Sequence, residues 1–420
     1  MTQRDRLLVT TMLSALVFGP GLGACASETD DMGTPPVEGD PTEPTAPTTP
    51  ATVEIRLVSE PITTDGRLAL RNLSSSIDAQ RVSVEQRPDM SELRVALIDS
   101  LLARARYAGR YSDFDEVAAL LDTAPASSTD IELARVRFLS AIHRFQDSAE
   151  LLASLEVAPS ERRSRVIIES VALNRNLDEA LRAAEQAVEE DPSYESFVNL
   201  ASVESVLGRF EDADAHFIAG LESYGDVSPF PYAYVAFQRG VMWAEMADRR
   251  DLARPLYEEA LRRLPSYAVA TVHLAELLAT DGDDEAGAIA LLRAINEETE
   301  DPEPRGLLAS LVPGTAEATA LIADGTERYD SLLSRYPLAF ADHGSEFFAD
   351  PLAGNDSQRA VELALRNLDN RENARAFVVG IDAYLANNDE AGACTLARRA
   401  EPFLAVHPVL ADQVDSLSCR

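Results

Sequence analysis

Five histidines could do chemistry in this chain: His143, His216, His273, His343 and His407. A zinc-binding or general-base pair needs two of them on one helix face, as in H-E-x-x-H, or a short H-x3-H step. Neither spacing occurs, and the five fall in different units and phases of the repeat described below. They read as structural or solvated side chains. DGDDEAGA at 281–288 is acidic enough to suggest calcium, but a calcium loop closes on a Glu at its twelfth position. Position 292 is Leu, so the stretch reads as a helix N-terminus. No G-x-S-x-G is present. Carboxylates are too frequent for any pair to stand out as an acid/base dyad. All 37 basic residues are Arg. Without Lys there is no phosphate loop ending in G-K-[ST], no Schiff base and no S-x-x-K nucleophile. These residues predict no enzyme, no cofactor and no metal.

Three cysteines remain: Cys25, Cys394 and Cys419. The stretch 405–420, AVHPVLADQVDSLSCR, reads as a capping helix after a turn at His407–Pro408. That turn lies midway between Cys394 and Cys419. An antiparallel pair folded there puts the two at one level, and a disulfide between them would stabilise by roughly 3–4 kcal/mol in the chain-entropy model. Two unpaired buried thiols are the alternative.

The elements that must position these residues are helical. Of 420 residues, 46% are hydrophobic, mostly Leu and Ala. DEAGA occurs at both 284–288 and 389–393, three units apart. Similar stretches start near Val117, Ser148, Ala180, Ala213, Ala253, Gly287, Ala360 and Ala393, with a degenerate one near Gly325. Nine units average about 34 residues. Each has a short polar turn and often an acidic start, where Asp or Asn starts a helix; a small or apolar residue then meets a neighbouring helix, and an apolar residue four later fills the gap. Phe197, Leu200, Ala201, Gly208, Ala213, Phe217 and Gly220 fit one register. Phe377, Gly380, Ile381, Tyr384, Ala393, Ala397 and Ala400 fit it again.

This pattern resembles the tetratricopeptide repeat. The family's bulky Trp is absent here, and most of its Tyr positions are missing. The resemblance implies an all-α fold: a right-handed α-solenoid of about nine helix-turn-helix repeats over 91–420. It also implies an inner face lined by first-helix residues. Carried over by position, that face includes Glu195, Ser202, Gln238, Met242, Glu245 and Glu276, with Trp243 beside them. Such a face suits a partner protein bearing a basic or neutral segment. Tyr224, Phe230, Tyr232, Tyr234, Phe237 and Trp243 crowd into 20 residues. They read first as packing of a longer connection and second as a partner anchor.

The N-terminal 90 residues differ. Arg4 and Arg6 precede an apolar run from Leu7 to Phe18, too short to span a bilayer and typical of an export signal over 1–24. Leu22-Gly23-Ala24-Cys25 follows, and it resembles the lipobox of bacterial lipoproteins. The resemblance implies that Cys25 is lipidated and becomes the first mature residue. With Ala26 next, it points to the outer membrane of the bacterial cell envelope. Residues 25–52 are rich in Pro, Thr and acid and read as a disordered tether, reaching up to roughly 80 Å if extended. Residues 53–90 read as irregular, with a weak strand signal at Val53, Ile55 and Leu57.

Net charge is −34. Such a chain repels nucleic acid and favours basic, neutral or cationic partners. The expectation is a lipid-anchored scaffold holding a protein on the inner face of its array. Helical-repeat lipoproteins of this kind assist secretion, envelope assembly or wall enzymes. The alternatives are a surface lipoprotein receptor for a nutrient or glycan, and an enzyme. Connections are short except around 222–236 and 296–350, which argues against the receptor.

Overall fold

A computed structural model describes residues 55–57, 62–124, 128–280 and 284–419. The export signal, Cys25, the tether and Val53 lie outside them. Twenty α-helices and no strand occur among the described residues. Helix α1 (Gly66–Gln86) leads. Nine hairpins follow: α2 (Ser91–Ala108) with α3 (Asp113–Asp122), α4 (Thr129–Ala141) with α5 (Phe145–Ser154), α6 (Pro159–Leu173) with α7 (Leu177–Glu190), α8 (Tyr194–Val206) with α9 (Phe210–Ser223), α10 (Pro229–Val241) with α11 (Arg250–Arg263), α12 (Ala268–Thr280) with α13 (Glu285–Asn296), α14 (Glu303–Leu311) with α15 (Ala316–Arg335), α16 (Ala341–Ala349) with α17 (Ser357–Asn370), and α18 (Ala374–Ala386) with α19 (Glu390–Arg399). Helix α20 (Pro408–Asp415) caps the array. The chain is an all-α repeat solenoid.

The two DEAGA copies occupy one structural position. Asp284 accepts from the Gly287 amide and Asp389 from the Gly392 amide, each at 2.8 Å, so each Asp caps the second helix of its unit. Glycine stands there because a Cβ at 287 would collide with the capping carboxylate. The buried small residue is therefore the following one, Ala288 matching Ala393, and not Gly287 as the sequence suggested. In the other well-formed units, Val117, Ser148, Ala180, Ala213, Ala253 and Ala360 are all buried second-helix residues.

Two expectations need correction. Residues 66–86 form a regular helix, not irregular structure. Asp65 caps it through the Leu68 amide at 2.9 Å, and it buries Ala69, Ile77 and Val84. Gly66 starts this helix and Pro88 follows it, so neither interrupts it; Pro61 lies outside the described residues. Ile55 and Leu57 belong to no strand. The segment 222–236 is likewise not a long connection, because α10 begins at Pro229. It runs on through a π-helical turn, Met242–Met246. That turn lengthens the unit between Ala213 and Ala253.

The array closes on itself. At the α2–α3 turn, the Glu300 amide donates to the Gly109 carbonyl at 3.1 Å and the Ser112 amide to Glu300 at 2.8 Å. Tyr336 donates to Asp115 at 2.7 Å, and Arg335 pairs with the same carboxylate. Asn370 donates to the His143 carbonyl at 3.0 Å. Apolar packing follows the same path. Ile77, Leu97, Phe114 and Phe138 share one core with Tyr329, Tyr336, Phe348 and Leu363. Tyr107 stacks on Phe230 with ring centroids 4.7 Å apart. The N-terminal helices thus fill the inner face of the later units. This removes apolar area from water that an open superhelix would leave exposed.

Candidate functional site

A chamber remains where the N-terminal helices meet the inner face. It holds about 930 Å³ not occupied by atoms, counting space open to solvent. Helix α2 contributes Arg106, and the α2–α3 turn contributes Tyr111. The first helices of four later units supply the other wall: Tyr234 and Phe237 from α10, His273 from α12, Glu303 from α14 and His343 from α16. Tyr267 and Tyr329 complete it.

Carboxylates gather on one side. Arg371 and Asp342 form a fully buried pair at 2.5 Å, and Arg375 pairs with Glu346. His343 Nδ1 stands 3.3 Å from Glu303 and 3.7 Å from Glu346. Burial alone would strip the proton from His343. The charges of Glu303, Asp342 and Glu346 outweigh it and raise its pKa to about 10. Burial raises Glu346 to about 8. Burial and then Glu303 raise Asp301 to about 6. Glu245 and Glu276 are pushed well above the carboxylate range, first by burial and then, for Glu276, by Glu303 and Glu245. His273 lies 3.1 Å from Glu245, yet burial holds it neutral, as it does His143, lowered to about 3.

Sequence reasoning placed the histidines in different phases, and the structure corrects this. His143, His273 and His343 line one chamber. The missed signal is H-x-x-E, at His273 with Glu276 and again at His343 with Glu346, seventy positions apart. Two units separate the copies, so they share a face. The other two histidines act elsewhere: His216 meets Glu204 at 2.7 Å, and His407 accepts from the Leu410 amide at 3.2 Å to cap α20.

The seven residues carried over as an inner face do not form an open groove. Glu245 and Glu276 come together beside the chamber. Gln238, Met242 and Trp243 are buried in packing. Trp243 donates to Asp214 at 3.0 Å, and Arg239 grips the same carboxylate at 2.7 and 2.9 Å. Ser202 turns back to its own helix, donating to the Val198 carbonyl at 2.8 Å. Glu195 accepts from Ser164 at 2.6 Å, away from the others. The aromatic run is packing: Phe230, Tyr232, Tyr234 and Phe237 are buried with Trp243, and Tyr224 is half-buried. At the far end, Cys394 and Cys419 are joined, with Cα atoms 5.4 Å apart. No group of three or more His, Cys, Asp or Glu placed to hold a metal occurs among the described residues.

No family model matches the sequence, and no curated protein matches it. Solved structures similar to this chain include the APC/C hetero-tetramer Cut9–Hcn1, at 15% identity over 82% of this chain with a TM-score of 0.41. Yeast Tom70 is similar at 13% over 83%, TM-score 0.41, and covers 86% of its own length. Naa15/Naa10 bound to HypK-THB is similar at 12% over 83%, TM-score 0.24, with 65% of that chain covered. The chain spans 59% of the Cut9–Hcn1 chain it matches. The solenoid is read from the nine hairpins themselves, since likenesses this distant add nothing to it.

Proposed function

We propose that this chain is a membrane-tethered protein-interaction scaffold of a bacterial cell envelope. The observation that carries the reading is the array of nine hairpins, a rigid repeat body of the kind that presents extended surface to protein partners. Its N-terminal sequence supports the tether. A charged start, a short apolar run, Leu22-Gly23-Ala24-Cys25 and a Pro- and Thr-rich spacer suit acylation at Cys25 and a body standing clear of the lipid. No described helix is long and apolar enough to cross a membrane. The proposed attachment runs through the lipid on Cys25. The outer membrane is the proposed site, on Ala26.

Helices α1 to α4 occupy much of the inner face, so the partner docks on the outer surface. At a net charge of −34 that surface favours a basic or neutral segment and disfavours nucleic acid. Affinity capture after cross-linking in intact cells tests the scaffold. One stoichiometric protein partner is the expected result; recovery of oligosaccharide alone would move the chain to the receptor reading. For the anchor, Cys25→Ala is expected to shift the protein into the soluble fraction. Retention in the membrane would overturn that part.

A further inference from the structure

The segment ahead of α1 is fastened along the α9–α10 turn. Arg239, itself buried, donates to the Arg56 carbonyl at 2.9 Å, and Arg56 pairs with Glu222. The Thr64 amide donates to the Val227 carbonyl at 2.8 Å, and Arg263 donates to Thr63 at 3.2 Å. Eight large hydrophobic residues are exposed among the described residues, and four of them gather here. Leu57, Ile62 and Val227 lie at or within two residues of those contacts, and Leu68 is in the first turn of α1, held by the Asp65 cap. Ile62 is 90% exposed and Val227 56%. Exposed apolar residues scattered singly need no explanation, but half of them in one place mark a contact surface. The charges around it are engaged: Arg56 with Glu222, Arg67 with Glu298, and Asp226 with the Val227 and Ser228 amides.

We propose that this face docks reversibly on the zwitterionic lipid surface to which the chain is tethered. The inference rests on acylation of Cys25. Ile55 lies 30 positions after Cys25, and a flexible chain of that length spans roughly 30 Å on average. The tether therefore holds the body at high effective concentration over the lipid, and the face where the chain enters is the one nearest to it. Four aliphatic side chains would not keep a free protein on a membrane, but a second weak contact suffices once the acyl chains supply the first. Standing off on the extended tether and resting on this face are the two positions of the body. At a net charge of −34 the chain is repelled by anionic headgroups, so the surface it meets is a zwitterionic one.

The test uses the full-length acylated chain in phosphatidylcholine vesicles whose acyl chains carry bromine, a fluorescence quencher. Ile62→Cys, Val227→Cys and Leu352→Cys are each labelled with bimane. Leu352, an exposed apolar residue on the α16–α17 turn, is the control. Cys394 and Cys419 are joined and Cys25 carries the lipid, so the introduced thiol alone takes the label. Emission at 62 and 227 is expected to fall about twofold or more, as for groups at the headgroup–acyl boundary, and emission at 352 to stay unchanged. Flotation of the vesicles reads the anchor separately. A chain that does not float overturns the anchor and the docking with it. A chain that floats with unquenched labels at 62 and 227 overturns the docking alone. Equal quenching at 352 would also overturn it, as adsorption without a preferred face. So would labels at 62 and 227 that are shielded in the detergent-solubilised chain and stay unquenched in vesicles, since a second copy would then cover the face.

Discussion

Tyr111 donates a 2.9 Å hydrogen bond to Asp301, a residue 190 positions further along the chain. The bond joins the turn of the first hairpin to the entry of α14. Arg305 holds that entry in place by donating to the carbonyls of Asn296, Thr299 and Asp301. In an open solenoid each unit touches only its neighbours and stability is nearly a sum of local terms. Here the ends are coupled.

Tyr111→Phe removes the donor and leaves an Asp301 oxygen poorly satisfied in a largely buried place. The expected loss is about 1.5–3 kcal/mol, the cost of losing a hydrogen bond to a charged group. Urea unfolding followed by circular dichroism reads it. A change within ±0.5 kcal/mol would mean that the bond contributes nothing to closure.

Gly240 admits the Tyr257 ring between α10 and α11. A Cβ at 240 would overlap that ring, and Tyr257 is only 1% exposed, with no room to retreat. Gly240→Ala is expected to cost about 1–3 kcal/mol by overpacking, against the usual gain from replacing a helical glycine by alanine. A melting temperature raised by the substitution would contradict the packing described.

Arg371 and Asp342 are 1% and 0% exposed. Removing one partner strands the other charge away from water. Arg371→Ala should therefore destabilise by about 3–5 kcal/mol, and Arg371→Met combined with Asp342→Leu by less than the sum of the single changes. A double-mutant cycle checks this. Additive losses would show the two charges to be independent.

Stability should fall between pH 6.5 and 10. His343, raised to about 10 from its ordinary 6.5, holds a proton in the folded chain that the unfolded chain gives up. Its contribution is full below pH 6.5 and lost as the pH rises through 10. Glu346, raised from 4.5 to about 8, loses its contribution as the pH rises through 8. His143, lowered to about 3, runs the other way, but its contribution is complete above 6.5 and adds no slope there. Urea midpoints at pH 6.5, 8 and 9.5 should descend in order. A flat or rising series would remove the buried cluster from the account.

The repeat was legible because its signals are local. A small residue and an apolar residue four later recur with the period and place the second helices, while an Asp side chain caps only three of them, at Asp284, Asp356 and Asp389. The helix at 66–86 was not legible. Its buried residues, Ala69, Ile77 and Val84, are widely spaced among polar ones, and its apolar face has meaning only against helices further along the chain. Closure was invisible for the same reason. Nothing near Tyr111 announces Asp301, and a period fixes neighbours in the stack but not what fills its groove. The chamber could have been half-seen, since H-x-x-E at two-unit spacing was present at 273–276 and 343–346. Reading the histidines one at a time hid it.

The closed array is tested most directly by the distance between spin labels at positions 112 and 300, measured by double electron–electron resonance on the full-length chain. A short, narrow distance distribution is the expected result, because the Ser112 amide and the Glu300 carboxylate are 2.8 Å apart. A long or broad distribution, with the first hairpin swinging free of α14, would contradict closure.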